Sequence, residues 1–562
     1  MSRRLAANGR YNLLHMDGVI GGIDQSHSES QPTNLRERIA YWLRELWWVA
    51  LLGIAVQALW AARLQHPAYF DAYYYTTNAQ RLADGQGFTE EIIWQYLDQP
   101  QGLPTPSHTY WMPLASIIAA GGYLLGGSFR AAQAPFWLMA GLLPLLGYAV
   151  SWRLYRERWQ ARAAALFTMA GGYYTAYWVQ PTTFVLFAWA GGGCLLALAL
   201  ARQASDEHRA PAHWWLLAGV AAGLAHLTRA DGLLIFAVAV LMWLLQAVDS
   251  LRAGRRLPWQ AGYLLVAGYL LVMTPWFYRT WRLTGQPLST VGTQTIFLTT
   301  YDDVFAYGRQ FNLQQYFAWG WRNILQSKLE AAWLAVQTYA VVIGLTAFSF
   351  FTAWGWLAAR RRARLRRFLQ PSTWYAVVLF VAMSFVFTFP GQRGSLLHSS
   401  TALWPWSMAL VPAGIDRAVD WIAARRPRWK PHTAKRFFAV SFVLMAFVIS
   451  IAVASTQPLR DEEAAVYRQV GELLPPDAVV MTGDPPGFYY HSHLAAIATP
   501  NEPPQEMLEV AHQFGASYLL VDTNLPAPLM DLGDGTSSEV RLDLVQDFGA
   551  GFRLYRLPEK DE

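Results

Sequence analysis

The sequence predicts a mainly α-helical, polytopic membrane protein of about eleven transmembrane helices, with a small C-terminal extracytoplasmic α/β domain. Of the 562 residues, 54% are hydrophobic and only 15% are charged, which is too apolar for a soluble protein of this length. Apolar runs of about 20 residues, the length that crosses a bilayer, recur as far as residue 455. After Gln457 the charge changes abruptly, to six Lys and Arg against eighteen Asp and Glu.

These observations predict three regions. Residues 1–45 read as a cytoplasmic tail, partly disordered, and Met16 is an alternative initiator within it. The tail lacks the short apolar segment of a cleaved signal peptide, so the first span is expected to stay as an anchor. Residues 46–456 form the predicted transmembrane domain, and residues 457–562 form the predicted extracytoplasmic domain.

The first predicted span begins near residue 46 and is followed by ten more. These lie near 131–152, 163–179, 182–201, 214–228, 232–249, 259–277, 331–357, 373–389, 399–415 and 437–455. The stretch 112–127, MPLASIIAAGGYLLGG, is short and Gly-rich. It fits either a full span or a helix that lies along the membrane surface.

The distribution of basic residues decides between these alternatives. If 112–127 does not cross, every second connection is rich in Arg and the opposite ones are poor in it. The basic connections carry Arg153, Arg156, Arg158, Arg162, Arg202, Arg209, Arg252, Arg255, Arg256, the run 360–367 and the run 425–436. Basic connections face the cytoplasm, so the N-terminus is predicted to be cytoplasmic and the C-terminus extracytoplasmic. The positive charge therefore marks membrane edges and not a nucleic-acid site.

This orientation places the segments 63–130 and 278–330 outside, together with the C-terminal domain. In that domain LRDEEAAVYRQVGELL and PPQEMLEVAHQFG have helical periodicity. AVVMT and SYLLVD are short β-rich runs that end at polar turns, and VRLDLVQDF and FRLYRL are typical of a final strand pair.

The first outer segment contains an isolated carboxylate. Asp71 stands in the aromatic run YFDAYYY, with Tyr69 and Phe70 before it and Tyr73 close after it. An acid just outside the bilayer and surrounded by tyrosines suits a general base. The alternative is an interfacial aromatic belt whose one acid is an ordinary surface residue.

Three stretches resemble a known family. They are FDAYYYTTNAQRLADGQG from residue 70, PTPSHTYWMPLASIIAAGGYLLGGSFRAAQ from residue 104, and AGLAHLTRADGLL from residue 222. In this order they resemble the GT-C superfamily of polyprenyl-phosphate-dependent glycosyltransferases. The most similar members are protein-mannosyltransferase-like and lipid A aminoarabinose-transferase-like. The resemblance covers residues 46–460 in layout and only these stretches in detail.

The resemblance implies an inverting transfer of a sugar from a polyprenyl-phosphate carrier to a glycan, lipid or protein acceptor. The reaction would take place on the outer side of the inner or plasma membrane. By its position Asp71 is the implied general base, and a cation is needed to stabilise the departing phosphate. The candidate carrier-binding residues on the outer face are Arg81, His108, Arg229, Arg393 and His398, with Arg279 and Arg282 as further outer cations.

Several candidates also have a structural interpretation. Arg229 lies two residues from Asp231, which fits an ion pair as well as a phosphate site. A lone histidine near an interface is usually a hydrogen-bonded structural group, although the turn RGSLLHSS brings Arg393 and His398 together. The acids at 302–303 are more typical of a helix cap or a solvated turn.

The sequence departs from the family where a second acid would help to hold a metal. Ala72 follows Asp71, and the turn 180–183 reads QPTT. We therefore predict no cofactor and a metal-independent site. The one cysteine, Cys194, excludes an intrachain disulfide and argues against a thiolate metal site.

Other classes of protein remain as alternatives. A transporter or flippase of lipid-linked sugars would carry ionisable residues at mid-membrane depth and related halves, whereas the predicted span interiors are nearly free of charge. A glycan polymerase or ligase would share the carrier but not the loop around Asp71. A structural or sensor protein would use the acidic C-terminal domain for binding and would leave the outer loops unexplained.

Overall fold

The computed structural model describes residues 35–206, 212–289, 291–426, 428–522, 525–533, 540 and 542–558. The chain divides into two compact units, one ending at Trp48 and one running from Val49 to the C-terminus. Residues 1–34 of the tail predicted at 1–45 lie outside the described residues. Arg209 also lies outside them.

Helices dominate the described residues. Those of eight residues or more are Leu35–Ala62, Phe70–Ala83, Leu114–Gly126, Phe129–Leu142, Pro144–Tyr155, Arg158–Ala170, Thr183–Asp206, Ala212–Thr228, Leu233–Arg252, Trp259–Thr284, Trp321–Gln337, Ser349–Arg360, Ala363–Val381, Trp404–Ala423, Pro431–Ser455, Asp461–Leu473, Pro485–Ser492 and Pro504–Phe514.

Within the described residues, seven helical segments are long and apolar enough to cross a membrane. They are Arg44–Ala62, Phe129–Tyr155, Thr183–Ser205, Ala230–Arg252, Trp259–Thr284, Ala363–Val386 and Pro431–Ser455. The protein is therefore a multi-pass membrane protein. An eighth candidate is a helix pair, Trp321–Ile343 and Thr346–Arg360, which is bent by 95° where a straight span was predicted over 331–357.

The remaining three predicted spans coincide with helices that are too short or too polar to be counted among these seven segments. Arg158–Ala170 continues into short helical turns as far as Trp178, Ala212–Thr228 has 17 residues, and Trp404–Ala423 ends in a polar turn with Asp416 and Asp420. The total of eleven spans stays a prediction.

The stretch 112–127 contains a helix, Leu114–Gly126, of only 13 residues. At 1.5 Å per residue it extends about 20 Å, less than the hydrocarbon thickness of about 30 Å. Gly127, in the left-handed conformation at φ 61°, ends it. Its neighbours on both sides are close: Ser116 Oγ donates to the Tyr75 carbonyl at 3.0 Å, and a Cβ on Gly122 would lie 2.3 Å from the Ala131 carbonyl oxygen. The length agrees with a helix that does not cross.

The strands form two sheets. They are β1 Thr89–Glu90, β2 Ile92–Ile93, β3 Thr105–Pro106, β4 Val479–Thr482, β5 Ala495–Ala498, β6 Ala516–Val521, β7 Asp543–Gly549 and β8 Phe552–Arg556. β1 and β3 pair antiparallel within the segment 63–130, the predicted first outer loop, and the other six have the order β2-β5-β4-β6-β8-β7. β2, β5, β4 and β6 are parallel to one another. β8 pairs antiparallel with β6, and β7 pairs antiparallel with β8.

The helices and strands expected after residue 457 are present, with three additions. The polar turn GDPPG begins a helix, Pro485–Ser492, whose N-cap Asp484 accepts a hydrogen bond from Gly487 N. β5 was not predicted, because AAIA is too short and alanine-rich to read as a strand. β2 comes from the first outer loop, more than 380 residues earlier, and completes the sheet edge. A separate C-terminal domain stays a prediction, since this loop is part of its sheet.

The orientation can be tested directly. We expect reporter fusions after Leu365 and after Pro500 to report opposite sides of the membrane, cytoplasmic for the first and extracytoplasmic for the second, because basic connections are retained inside. Alkaline phosphatase and green fluorescent protein fusions measure the two sides. Equal signals at both positions would show that the spans between them were miscounted.

Candidate active site

Asp71 lies in the first turn of helix Phe70–Ala83. The chain enters this helix through an extended Tyr69, and the backbone N–H of Ala68 donates to Gln180 Oε1 at 2.8 Å. Gln180 is buried and belongs to the turn 180–183, which lacks a second acid. This turn therefore holds the backbone that leads into helix Phe70–Ala83. The amides of a first helical turn carry partial positive charge, which favours a carboxylate there.

Burial dominates the electrostatics of this carboxyl group. It raises the pKa of Asp71 from its ordinary value of 3.8 to about 6, while the Arg229 guanidinium opposes that shift. Desolvation disfavours the charged form of an acid, whereas a nearby cation stabilises that form. An acid with a pKa near 6 is ionised at neutral pH and is still basic enough to accept a proton.

His398 is the nearest basic side chain to Asp71. Its Nε2 lies 3.6 Å from Asp71 Oδ2, longer than a hydrogen bond. Its Nδ1 is hydrogen-bonded to Thr183 Oγ1 at 2.7 Å, and its ring stacks on Phe184 with centroids 3.7 Å apart. Burial, aided by the charge of Arg229, holds the pKa of His398 well below its usual range. The imidazole is therefore neutral.

Arg229 is held by Asp231, as one of the two interpretations predicted. Its Nε donates to Asp231 Oδ1 at 3.0 Å and its Nη2 to Oδ2 at 3.4 Å. Ser399 Oγ donates to the same Oδ2 at 2.6 Å, so the turn that carries His398 is tied to the ion pair. Asp231 raises the pKa of Arg229 despite the opposing effect of burial, and Asp71 adds to that increase. Asp71, Arg229 and His398 therefore form one electrostatic group.

Asp71 opens into a wide cavity of about 850 Å³. Its walls come from the first outer loop, from the turns at 176–180 and 301–305, from Arg393 and from the C-terminal region. The C-terminal contributions include Arg460, Glu463 and the carboxyl ends of β4 and β5. Polar and aromatic side chains share this surface, which suits a hydroxyl-rich ligand.

Arg393 is a cation of the wide cavity without an acidic partner. Its guanidinium lies over the Tyr301 ring at 5.3 Å, and it makes no hydrogen bond or ion pair with the part of the chain that the structure describes. Asp302 also lines this cavity, whereas Asp303 caps its own turn by accepting from Thr299 N at 2.8 Å and from Thr300 N at 2.9 Å. Arg393 can therefore compensate an anion that enters from outside.

A second, smaller cavity of about 250 Å³ has Arg229 in its wall. It is mainly apolar and is lined by Phe277, Leu288 and Phe387, with Arg229 and His108 at its wall. Burial, aided by the charge of Arg279, lowers the pKa of His108 to about 3. Because His108 is neutral, the charge on this wall comes from Arg229 and its partner Asp231.

Two other predicted cations lie outside both cavities. Arg81 donates to the Thr89 carbonyl at 2.8 Å and pairs with Glu91 at 3.3 Å. Arg279 donates to the Ser107 carbonyl at 2.7 Å and stacks on Trp276 at 4.5 Å. Both arginines brace the first outer loop.

Sequence reasoning missed the contribution of the C-terminal region. Arg460 Nη1 pairs with Asp484 at 2.7 Å, and the same guanidinium pairs with Glu463 and lies 5.7 Å from the Tyr73 ring centroid. It therefore connects helix Phe70–Ala83 to the C-terminal sheet. No local signal marks Arg460, because its partners are set by tertiary packing. Arg63 also lines the wide cavity. It could have been noticed as a basic residue at the end of the first span that is predicted to face outside.

No group of three or more His, Cys, Asp or Glu side chains within the described residues could hold a metal ion. Asp302 shares the cavity of Asp71 but lies on a different loop. Metal independence stays a prediction.

Comparison with known proteins was informative only at the level of structure. No protein-family model and no curated protein matches the sequence. Two crystal structures of ArnT from Cupriavidus metallidurans, in the apo state and bound to undecaprenyl phosphate, superpose with TM-scores of 0.54 and 0.53. They are 16% and 15% identical to this chain, and the matches cover 92% and 91% of it and 98% of each ArnT chain.

A third structure is the archaeal oligosaccharyltransferase AglB from Archaeoglobus fulgidus, in complex with an inhibitory peptide and a dolichol-phosphate. It has a TM-score of 0.51 at 15% identity, covering 85% of this chain and 70% of AglB. The chain has the GT-C fold. The sequence resemblance covered residues 46–460 in layout. The structural match covers more of the chain, because part of the C-terminal region also takes part in it.

Within this GT-C fold the three resembling stretches come together. Asp71 lines the wide cavity, whereas His108 and Arg229 line the smaller one, and Arg229 acts electrostatically on Asp71. From a turn nearly 170 residues later, Arg393 reaches the wide cavity and His398 lies beside Asp71.

Proposed function

We propose that this protein is a glycosyltransferase that moves a sugar from a polyprenyl-phosphate carrier to an acceptor hydroxyl on the extracytoplasmic side, with Asp71 as general base. One observation carries the proposal. Asp71 lines the wide cavity, its pKa is raised to about 6, and Arg229 acts on it from the wall of the apolar cavity.

The two cavities differ in the ligands that they suit. The smaller one is mainly apolar, and the candidate spans Ala230–Arg252 and Trp259–Thr284 contribute to its wall together with loop segments, so it suits part of the polyprenyl chain. The wide one is polar and aromatic and is partly walled by the C-terminal region, so it suits the acceptor. Arg393 lines the wide cavity and Ser395 the smaller one. We assign the carrier phosphate to this boundary, where Arg393 would compensate its charge.

The chemistry is a single displacement at the anomeric carbon of the sugar. The acceptor oxygen forms a bond to that carbon while Asp71 takes the hydroxyl proton. The bond between the carbon and the phosphate oxygen breaks, and its electron pair leaves with the phosphate. Attack opposite the leaving group inverts the anomeric configuration. Arg393 and Arg229 stabilise the negative charge that grows on the phosphate.

His398 has a positioning role in this scheme. Because its imidazole is neutral, it does not neutralise Asp71 and does not compete for the acceptor proton at physiological pH. Its hydrogen bond to Thr183 and its stacking on Phe184 fix the ring beside the base.

The experiment uses the full-length protein in lipid nanodiscs with undecaprenyl phosphate carrying glucose, mannose or aminoarabinose. Membrane extracts that contain endogenous acceptors supply the second substrate. We expect release of undecaprenyl phosphate together with a glycosylated product of inverted configuration. Translocation of an intact carrier across vesicles without sugar release would contradict the proposal and favour a flippase.

The rate should depend on pH through Asp71. Its pKa is raised to about 6, and a general base works only when deprotonated. We expect kcat/KM to be nearly constant above pH 7 and to fall tenfold per pH unit below about 6. Initial rates between pH 4.5 and 8 measure this fall of kcat/KM at low pH. A rate that is flat through pH 5 would exclude Asp71 as the base.

A further inference from the structure

Trp111 lies where the two cavities meet. Of the described residues that line them, Trp111 alone belongs to both. It follows Tyr110, whose hydroxyl is within electrostatic reach of Arg229 and Asp71. Trp111 is partly exposed, so part of its indole surface is available to a ligand.

The indole of Trp111 is held in place by its neighbours. It stacks on Trp94 with ring centroids 4.2 Å apart and an interplanar angle of 21°. Tyr74 meets it edge-to-face at 4.7 Å, and Phe70 does so at 5.9 Å. Its backbone carbonyl is hydrogen-bonded to His108 Nδ1 at 3.2 Å. A ring braced in this way loses little further conformational freedom when a ligand packs against it.

The position of Trp111 has a consequence that rests on the proposed function. If the polyprenyl chain occupies the apolar cavity and the acceptor the wide one, the sugar must lie at their junction. We propose that Trp111 binds the transferred sugar, whose ring C–H groups pack against the indole. Sugar C–H groups carry partial positive charge and an aromatic ring system carries partial negative charge, so contact with the part of the indole that Trp94 and Tyr75 leave exposed is favourable. The ligand class is a hexose or pentose ring attached to a lipid phosphate.

The test compares two carriers, so that the sugar contribution is measured apart from the chain and the phosphate. Dissociation constants of undecaprenyl phosphate and of undecaprenyl phosphate carrying glucose, mannose or aminoarabinose are measured on the full-length protein in nanodiscs. We expect at least one sugar-bearing carrier to bind about fivefold more tightly than the sugar-free carrier, the size of one aromatic packing contact.

Substitution of Trp111 should remove that difference. In Trp111→Leu we expect the two constants to become equal while that of undecaprenyl phosphate stays unchanged, and Trp111→Phe should restore part of the difference. Trp356→Leu is the matched control, because Trp356 is also partly exposed, donates to Thr373 Oγ1 at 3.0 Å and lines neither cavity. It should leave both constants unchanged.

Three results would overturn the inference. These are equal weakening of both carriers in Trp111→Leu, an unchanged difference between them, and the absence of any difference in the wild-type protein. A failure of the proposed function looks different. Trp111-dependent binding of a sugar-bearing carrier without any transfer would leave the sugar site in place and remove the glycosyltransferase assignment.

Discussion

Asp71→Asn should abolish most of the sugar transfer while the protein folds normally. The amide keeps the size of the carboxylate and much of its hydrogen bonding but cannot accept the acceptor proton. The expected loss in kcat is about 10²–10⁴-fold, the usual contribution of a general base. Transfer from undecaprenyl-phosphate sugars in nanodiscs measures it, and the limb near pH 6 should vanish in the residual activity.

Stability distinguishes this loss from a folding defect. Because the folded protein raises the pKa of Asp71, ionised Asp71 lowers the free energy of unfolding, and this cost is fully present above about pH 6. Asn cannot ionise, so the thermal midpoint at pH 7 should be unchanged or higher. Undiminished transfer by Asp71→Asn would end the general-base assignment, and Asp302, in the same cavity, would be the next candidate.

Arg393→Ala should give the second largest loss, through use of the carrier. Arg393 lines the cavity of Asp71 and makes no ion pair within the described part of the chain. Its removal should therefore reduce kcat/KM for the lipid donor about 10²-fold, the usual effect of losing one charge-stabilising group. The thermal midpoint should change little, since Arg393 makes no hydrogen bond or ion pair with the described residues and its guanidinium lies over the Tyr301 ring. An unchanged kcat/KM would exclude it from phosphate binding.

Arg229→Ala should behave differently, because it leaves Asp231 without its buried partner. Both side chains are nearly buried, with exposed fractions of 12% and 11%. Breaking such a pair costs about 3–5 kcal/mol, so the yield of folded protein should fall. The double variant Arg229→Gln with Asp231→Asn removes both charges and should recover the folded yield. Transfer by that double variant then measures the effect of Arg229 on Asp71 and on the phosphate.

The structure separates arginines that the sequence could not rank. The sequence suggested a partner for Arg229 alone, Asp231 two residues away, because a one-dimensional pattern shows the compartment and seldom the partner. Arg81 and Arg279 donate hydrogen bonds to the Thr89 and Ser107 carbonyls, and Arg229 is paired with Asp231. Arg393 remains available since no acid of the described residues reaches it.

The sequence alone determined the membrane character of the chain and most of its long helices, and it predicts that the loop with Asp71 lies outside. These follow from local physics, because a span needs about 20 apolar residues wherever it occurs and a basic connection is retained inside. The short stretch 112–127 contains a helix of 13 residues, as its length indicated, and its return to the outer face stays a prediction.

Tertiary structure decided the bent helix pair, the sheet and the site. The bend after Ile343 and the addition of β2 to the C-terminal sheet depend on contacts between distant segments, and no local pattern encodes them. The same holds for Asp71 and His398, which are 327 positions apart in the chain and 3.6 Å apart in space. The pKa of Asp71 follows from that packing, because burial, the nearby Arg229 and a backbone hydrogen bond change the relative free energies of its protonated and ionised forms.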